Sequence, residues 1–526
     1  VTRREQVFWG WGEPGAGPAL PEHAHGLLRA ELGVSGAVVS RPVALADVRL
    51  APSALSAGVR ERLAAIAPLR DDDAIRVLRC RGKSYLDLLA QRAGDCLAAP
   101  DAVVAPTDAA AVAALLRLCA RERIAVVPFG GGTSVVGGLE LGRRDAYAGV
   151  VSLDLGALDR VLGVDARSLT AVLEPGLRLL EADAALRAHG LALGHAPQSF
   201  EWASVGGCVA TRSAGQASTG HGRIDERVLG VSLAAPAAEL ALGDVEASAA
   251  GPDLRQLVAG SEGALGVLTR VALRVVPAPA ATRYEGWSLP GFAAGVEALR
   301  RLACERLLPD VARLSDEQET RVSLALAGTG RLGRAVLGGR CLLVLGWEGG
   351  SALALARRRA PVAARLLRAG ARPLGAAPGR AWQRSRFAAP YLRDDLLDRG
   401  VLVETVETAA SWSALAPVYG AARAALAGTL HGCHVSHVYA TGASLYFTVL
   451  ARQEPEPAAQ WRALKARVTD AILAAGGTLT HHHAIGRDHA RWLGAELGEG
   501  GVALLRSLKR ELDPAAIMNP GALLAA

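Results

Sequence analysis

Apolar positions along this chain follow two periods in alternation. Short runs of strand length stand at Val103-Val104, Ile124–Val127, 149–154, 169–173 and 265–276. Between them, Ala/Leu-rich stretches repeat at helical spacing, over 109–121 behind Pro106-Thr107-Asp108 and over 178–189 ahead of Gly190. This strand, helix, strand, loop order predicts an α/β architecture. Pro277-Ala278-Pro279 breaks the pattern, so residues 98–278 read as one domain. Residues 1–97, with a Gly/Pro-rich start and helical patterning at 57–67 and 84–93, read as an N-terminal extension. A second α/β unit is expected over 279–430, with strand patterns at 339–346 and 400–406. The remainder, 431–526, carries the strand-like run Tyr446–Leu450, a helix over 457–475, three consecutive histidines and a terminal helix. There is no internal repeat of roughly 20–50 residues.

At 526 residues the chain exceeds one ordinary domain of roughly 100–200 residues. No apolar run reaches the roughly 18 residues of a membrane helix. The formal charge of +7 comes from scattered basic residues, of which three are Lys, and aromatics make up 4% of the chain, so no nucleic-acid partner is expected. The seven cysteines are widely spaced and include no CxxC, which fits neither a disulfide framework nor a zinc knuckle. Val1-Thr2-Arg3-Arg4 leads into Trp9-Gly-Trp11-Gly without an apolar signal core, so a cytoplasmic location is expected.

The first chemical signal is Pro128-Phe-Gly-Gly-Gly-Thr-Ser-Val-Val-Gly-Gly138, which follows an apolar strand. Successive glycines let main-chain N–H groups converge on an anion, and the Thr133 and Ser134 hydroxyls can complete such a nest. It is not the Rossmann fingerprint, because Val135 stands where the third glycine belongs. Gly82-Lys83-Ser84 fails as a P-loop because Val77 occupies the first glycine position.

Together with Pro197–Ser204, Val205–Gly215 and Gly260–Gly266, this loop resembles, in order and spacing, the flavin-binding segments of vanillyl-alcohol oxidase type proteins. The resemblance implies an α/β (α+β) fold: a two-subdomain FAD-binding domain with an inserted α/β cap. FAD would be held by Pro128, Phe129, Gly130, Gly131, Gly132, Thr133 and Ser134; by Gln198, Ser199 and Ser204; by Thr211, Arg212, Ser213 and Ala214; and by Glu262, Gly263, Leu265, Gly266 and Val267. Covalent members carry a histidine where this chain has Thr133, so the flavin is expected to be noncovalent.

Further segments are similar to the alkyldihydroxyacetonephosphate synthase family. They are Trp9-Gly-Trp11-Gly, Ser199-Phe-Glu-Trp202, Arg313-Leu-Ser-Asp316, Tyr391-Leu-Arg393-Asp, Gly442-Ala-Ser-Leu-Tyr446-Phe and Gly476–Gly486 with its His481-His482-His483. The resemblance implies exchange of the acyl chain of an acyl-dihydroxyacetone phosphate for a fatty alcohol, through an adduct at flavin N5 and without net electron transfer. The substrate would be a phosphorylated, lipid-like small molecule; peripheral membrane contact and a homodimer are compatible with this reading. Tyr446 matches the family's base, Arg393 its substrate arginine, and Arg313 its second important arginine. A phenol of pKa about 10 must be lowered to act near neutrality, and His481, His482, His483 and Arg313 are the candidate cations. If the triplet lies on a strand, His481 and His483 share one face and His482 takes the other.

Two alternatives bear on this reading. His431, His434 and His437 are spaced like metal ligands, but on a β-strand positions i and i+3 diverge, so no metal is expected. The ending Ile517-Met-Asn-Pro-Gly521, and the unfamiliar text of 216–227, keep a FAD-dependent oxidoreductase of 2-hydroxy acids or related alcohols as the alternative function.

Overall fold

The computed structural model describes residues 4–140, 145–328, 337 and 339–525. Helix Ala109–Glu122 shows why the chain folds as its pattern suggests. The Asp108 side chain accepts the Ala111 N–H, Arg123 ends the helix in the left-handed region, and Val112, Leu115, Leu116 and Cys119 form the buried face. That face packs on a four-stranded sheet in the order Leu69–Arg70, Ala102–Val104, Gly149–Asp154, Ile124–Phe129, parallel among its last three strands. The edge strand Leu69–Arg70 comes from the first 97 residues, so that segment is built into the sheet rather than merely preceding it.

A five-stranded antiparallel sheet follows, in the order Val161–Asp165, Thr170–Leu173, Val267–Arg274, Val228–Ala234, Glu239–Gly243. The chain end returns to the first sheet: the Val126 N–H donates to Ile517 O, and the Asn519 N–H to Val126 O. The Asn519 amide donates to Gly138 O at 3.0 Å and Glu262 O at 2.7 Å. The terminal motif therefore clamps the glycine loop.

The third sheet has seven antiparallel strands: Arg372–Gly375, Ala281–Leu289, Cys341–Gly349, Val311–Ser315, Leu430–Val435, Gly442–Arg452 and Val401–Ser411. Residue 430 opens one of these strands, so the expected boundary at 430 runs through a single sheet. One face carries Leu314, Val406, Val435 and Phe447 into a core closed by helices Phe292–Cys304, Ala352–Arg368, Trp412–Ala425 and Pro457–Ala474. Burying each such side chain stabilises by about 1.5–3 kcal/mol. The alternate residues, at period two, point to the other face and line the site. No helix among the described residues is long and apolar enough to cross a membrane.

Candidate active site

The glycine loop leaves the Ile124–Phe129 strand and lies flat on Trp202–Ser204. A Cβ on Gly131 would come within 2.1 Å of the Trp202 carbonyl oxygen, one on Gly130 within 2.3 Å of Ser204 Oγ, and Gly132 has φ +69°. Only glycine permits this approach. Ser204 also caps helix Val205–Ala210 by accepting the Gly207 N–H at 3.2 Å. A cavity of about 390 Å³ starts here, walled by Pro128, Gly130–Ser134, Gln198, Ser199, Ser204, Thr211, Ser213, Ala214, Glu262, Gly263, Gly266 and Val267. These peptide groups, hydroxyls and an amide offer neutral donors to an anion. Glu262, the one carboxyl among them, accepts the N–H groups of Ile485 and Gly486 at 2.9 and 2.7 Å, and burial pushes it up to about 7. This end of the cavity fits the pyrophosphate of FAD.

Four predicted residues do not line it. Phe129 lies under the Arg79 guanidinium at 4.7 Å, and Leu265 is in the core. Arg212 donates to the carbonyls of Ala259 and Gln256. His481 turns away from the cavity, as described below.

The far end of the cavity is the polar face of the seven-stranded sheet. Strand pairing sets Ser315 opposite His434, His434 opposite Tyr446, and Tyr446 opposite Glu407. Directly paired residues share a face, and so does Arg313, two residues before Ser315. The row Arg313, His434, Tyr446, Glu407 thus crosses four neighbouring strands. His434 stacks on Tyr446 with centroids 4.8 Å apart. Arg313 donates to His434 Nε2 at 3.0 Å and to Glu319 at 2.6 Å, while His434 Nδ1 donates to Glu319 at 3.0 Å. Burial opposes ionisation of Glu319, but His434 and Arg313 outweigh it and hold the carboxyl at about 2.

The histidine triplet is not a strand. Residues 481–483 form a bend, because the buried Glu407 carboxylate accepts three consecutive N–H groups: His481 at 2.7 Å, His482 at 3.2 Å and His483 at 3.0 Å, with the Thr480 hydroxyl at 2.5 Å. Wrapping the backbone around one carboxylate destroys the alternation expected of a strand. His482 and His483, not His481 and His483, face the cavity, at 5.9 and 5.5 Å from the Tyr446 ring. His481 instead meets the Tyr439 hydroxyl at 2.7 Å.

The expected lowering of the Tyr446 phenol is also corrected. Burial pushes it up to about 12, against a hydrogen bond from Thr405 and the weaker pull of Arg313. Three of the four intended cations are not available: Arg313 is paired with Glu319, and burial holds His481 and His483 down at about 3, hence neutral.

Arg393, on helix Ala389–Asp398, lines the same cavity. Its Nη1 donates to Lys83 O at 2.8 Å, but its Nε and Nη2 are buried with no hydrogen-bond partner among the described residues. Asp394 does not neutralise it by contact, being turned to the Trp11 N–H at 2.5 Å. A buried guanidinium with two idle donors is a receptor for an anion.

Sequence reasoning missed Glu319, Glu407 and Thr405, and weighed His434 and His437 only as metal ligands rather than as neighbours of Tyr446 and the histidine triplet. The one available signal was a pair of glutamates, Glu404 and Glu407, inside an apolar strand run. His431, His434 and His437 do diverge: His431 turns to Thr429 and His434 to Glu319, while His437 stacks on His481 at 4.9 Å.

Residues 100–241 match the family described as FAD binding domain, and residues 278–523 that described as FAD linked oxidases, C-terminal domain. The chain is 32% identical over 489 residues to alkyldihydroxyacetonephosphate synthase of Dictyostelium discoideum, covering 88% of this chain and 80% of that protein. It is 32% identical over 486 residues to the enzyme of the same name from Trypanosoma brucei brucei, covering 87% and 78%. A solved structure of an alkyldihydroxyacetonephosphate synthase matches with a TM-score of 0.85 at 28% identity, over 98% of both chains.

Proposed function

The chain belongs to the alkyldihydroxyacetonephosphate synthase family of FAD-dependent enzymes, and on that premise we propose that it exchanges the acyl chain of an acyl-dihydroxyacetone phosphate for a fatty alcohol, the step that creates an ether lipid. One carbon, next to the ketone, loses its C–O bond to the fatty carboxylate and gains one to the alcohol oxygen. The alcohol proton leaves with the departing acid, and no net electrons move. FAD, when bound, supplies an electron-poor ring that activates this carbon.

The protein's residues do the rest. Arg393 binds the phosphate with its two idle donors, fixing the head group in the cavity that Tyr446 also lines. Tyr446 takes the proton from the reacting carbon and returns it later. Thr405 donates to the phenol oxygen and thereby favours the phenolate. His482 and His483 line the wall beside Tyr446 and offer hydrogen bonds to the leaving carboxylate. The Arg313–Glu319–His434 group holds the far side of the phenol in place. His434 is a positioning residue: it touches Tyr446 and not the reacting carbon.

The observation that carries this reading is the continuous cavity joining an anion-receiving glycine loop to Tyr446 and to a buried arginine with two donors unpartnered among the described residues. Its test is an anaerobic incubation of the flavin-loaded enzyme with an acyl-dihydroxyacetone phosphate and a fatty alcohol. Release of one fatty acid per ether product, without net flavin reduction, is expected. Stoichiometric flavin bleaching by a 2-hydroxy acid, with no fatty acid released from the ketone phosphate, would replace this reading with the oxidoreductase one.

A further inference from the structure

His437, His481 and His482 come from two separate segments yet bring one side-chain nitrogen each to within 4.8 Å of the others. His481 and His482 present their Nδ1 atoms to one another at 2.9 Å, a hydrogen-bond spacing at which one of the two nitrogens carries the proton and the other accepts it. The opposite nitrogen of His481, Nε2, is held by the Tyr439 hydroxyl at 2.7 Å. Such an outer partner on the far nitrogen is what fixes a ligating imidazole in orientation and tautomer. His437 Nδ1 is buried with no hydrogen-bond partner among the described residues, although burying an unpaired polar nitrogen is costly. Glu407 Oε2 lies 3.4 Å from His482 Nδ1 and places a negative charge beside the cluster. His437 and His482 also border the cavity, so a fourth position faces open space.

We propose that His437, His481 and His482 form a binding site for a borderline divalent transition-metal ion, of which Zn²⁺ is the type, with its fourth position open to the cavity. Three imidazoles suit such an ion, and tetrahedral coordination at about 2.0–2.1 Å per nitrogen sets the three nitrogens about 3.3 Å apart, so the 2.9 Å contact opens and the wider separations, within 4.8 Å, close onto the ion. The ion takes the place of the proton between His481 and His482, which moves to the far nitrogen of its ring, for His481 the Nε2 that then donates to the Tyr439 oxygen, and it satisfies the idle nitrogen of His437. Because it takes up His482, its capture inhibits the enzyme reversibly.

The test uses the full-length, flavin-loaded protein after treatment with a chelator, and no organic substrate, so its outcome is independent of the proposed reaction. Zinc sulfate is titrated by calorimetry, and one ion per chain is expected. His437→Ala should weaken binding by more than the roughly 10- to 100-fold typical of removing a group that only orients a ligand. His431→Ala, which lies outside the cluster, should leave it unchanged. X-ray absorption of the zinc-loaded wild type requires no variant to fold, and should count three imidazole nitrogens. No stoichiometric uptake, one imidazole or none, or unchanged affinity in a folded His437→Ala protein would each overturn the site.

Discussion

Glu407 holds His482 by two separate contacts: its oxygens accept the His482 backbone N–H, both at 3.2 Å, and Oε2 lies 3.4 Å from the ring Nδ1. One carboxylate therefore sets both the bend and the ring beside Tyr446. Glu407→Ala should cost about 3–5 kcal/mol of stability, because it strands buried donors, and it should lower kcat while flavin is retained. Thermal unfolding and steady-state kinetics check this. A variant as stable and as active as wild type would show that the bend forms without the carboxylate.

Tyr446→Phe keeps the ring and removes the proton carrier. A loss of about 10²–10⁴ in kcat is expected, within the usual range for a general base. Because burial holds the phenol at about 12, kcat/KM of the wild type should climb as pH rises from neutrality, and the residual rate of the variant should not. Parallel pH profiles in both proteins would remove Tyr446 from the role of base.

Arg393→Lys retains the charge and loses the fork. Each lost charge-assisted bond is worth about 1.5–3 kcal/mol, so KM for the phosphorylated substrate should rise by roughly tenfold or more. Stability should change little or improve, since the guanidinium has no ion pair to lose among the described residues. Saturation kinetics with phosphorylated and dephosphorylated analogues make the comparison. Equal effects on both would place the arginine elsewhere in recognition.

Gly131→Ala should weaken FAD binding at least tenfold, because the added Cβ would meet a backbone carbonyl at 2.1 Å and the loop must lift. Fluorescence titration of apoprotein measures it. Acid precipitation of wild type should leave the yellow pigment in the supernatant, since Thr133 offers no covalent link; pigment retained in the pellet would contradict noncovalent binding.

Acid should destabilise the fold early. Burial holds His195, His481, His483 and His489 at about 3, and pushes His437 well below its ordinary value. As pH falls through 6.5 the unfolded chain takes up these protons and the folded chain does not. Asp87, Glu262 and Asp488, raised by burial to about 6, 7 and 7, act in the opposite sense. His431 and His434 are lowered by burial as well, and Asp316 and Asp394 raised, so seven lowered histidines outnumber five raised carboxyls and stability should fall as pH drops between roughly 6.5 and 5. Chemical denaturation at stepped pH values reads the slope; a flat or rising stability in that window would show these histidines to be protonated in the fold.

By itself the sequence determined what local rules can encode. The alternation of strand and helix runs, the glycine loop at Gly130–Gly132 and the Asp108 cap are short-range features, and they appear where the pattern puts them. The family resemblance likewise rests on contiguous text such as Gly476–Gly486. The boundary expected at 430 has no such local signal, because strand Leu430–Val435 belongs to a sheet begun nearly 150 residues earlier at Ala281–Leu289.

Only the tertiary structure decided how charge and orientation are distributed among these residues. Glu319 and Glu407 reach the site through strand register and packing, which couple positions over 70 residues apart and leave no periodic mark in the chain. The bend around Glu407 turned His481 outward and His482 inward, packing paired Arg313 with Glu319, and Arg393 kept two donors without a partner among the described residues. Residue identity supplies donors and acceptors; which of them remain idle is fixed by burial and by the partners that folding brings within about 3 Å.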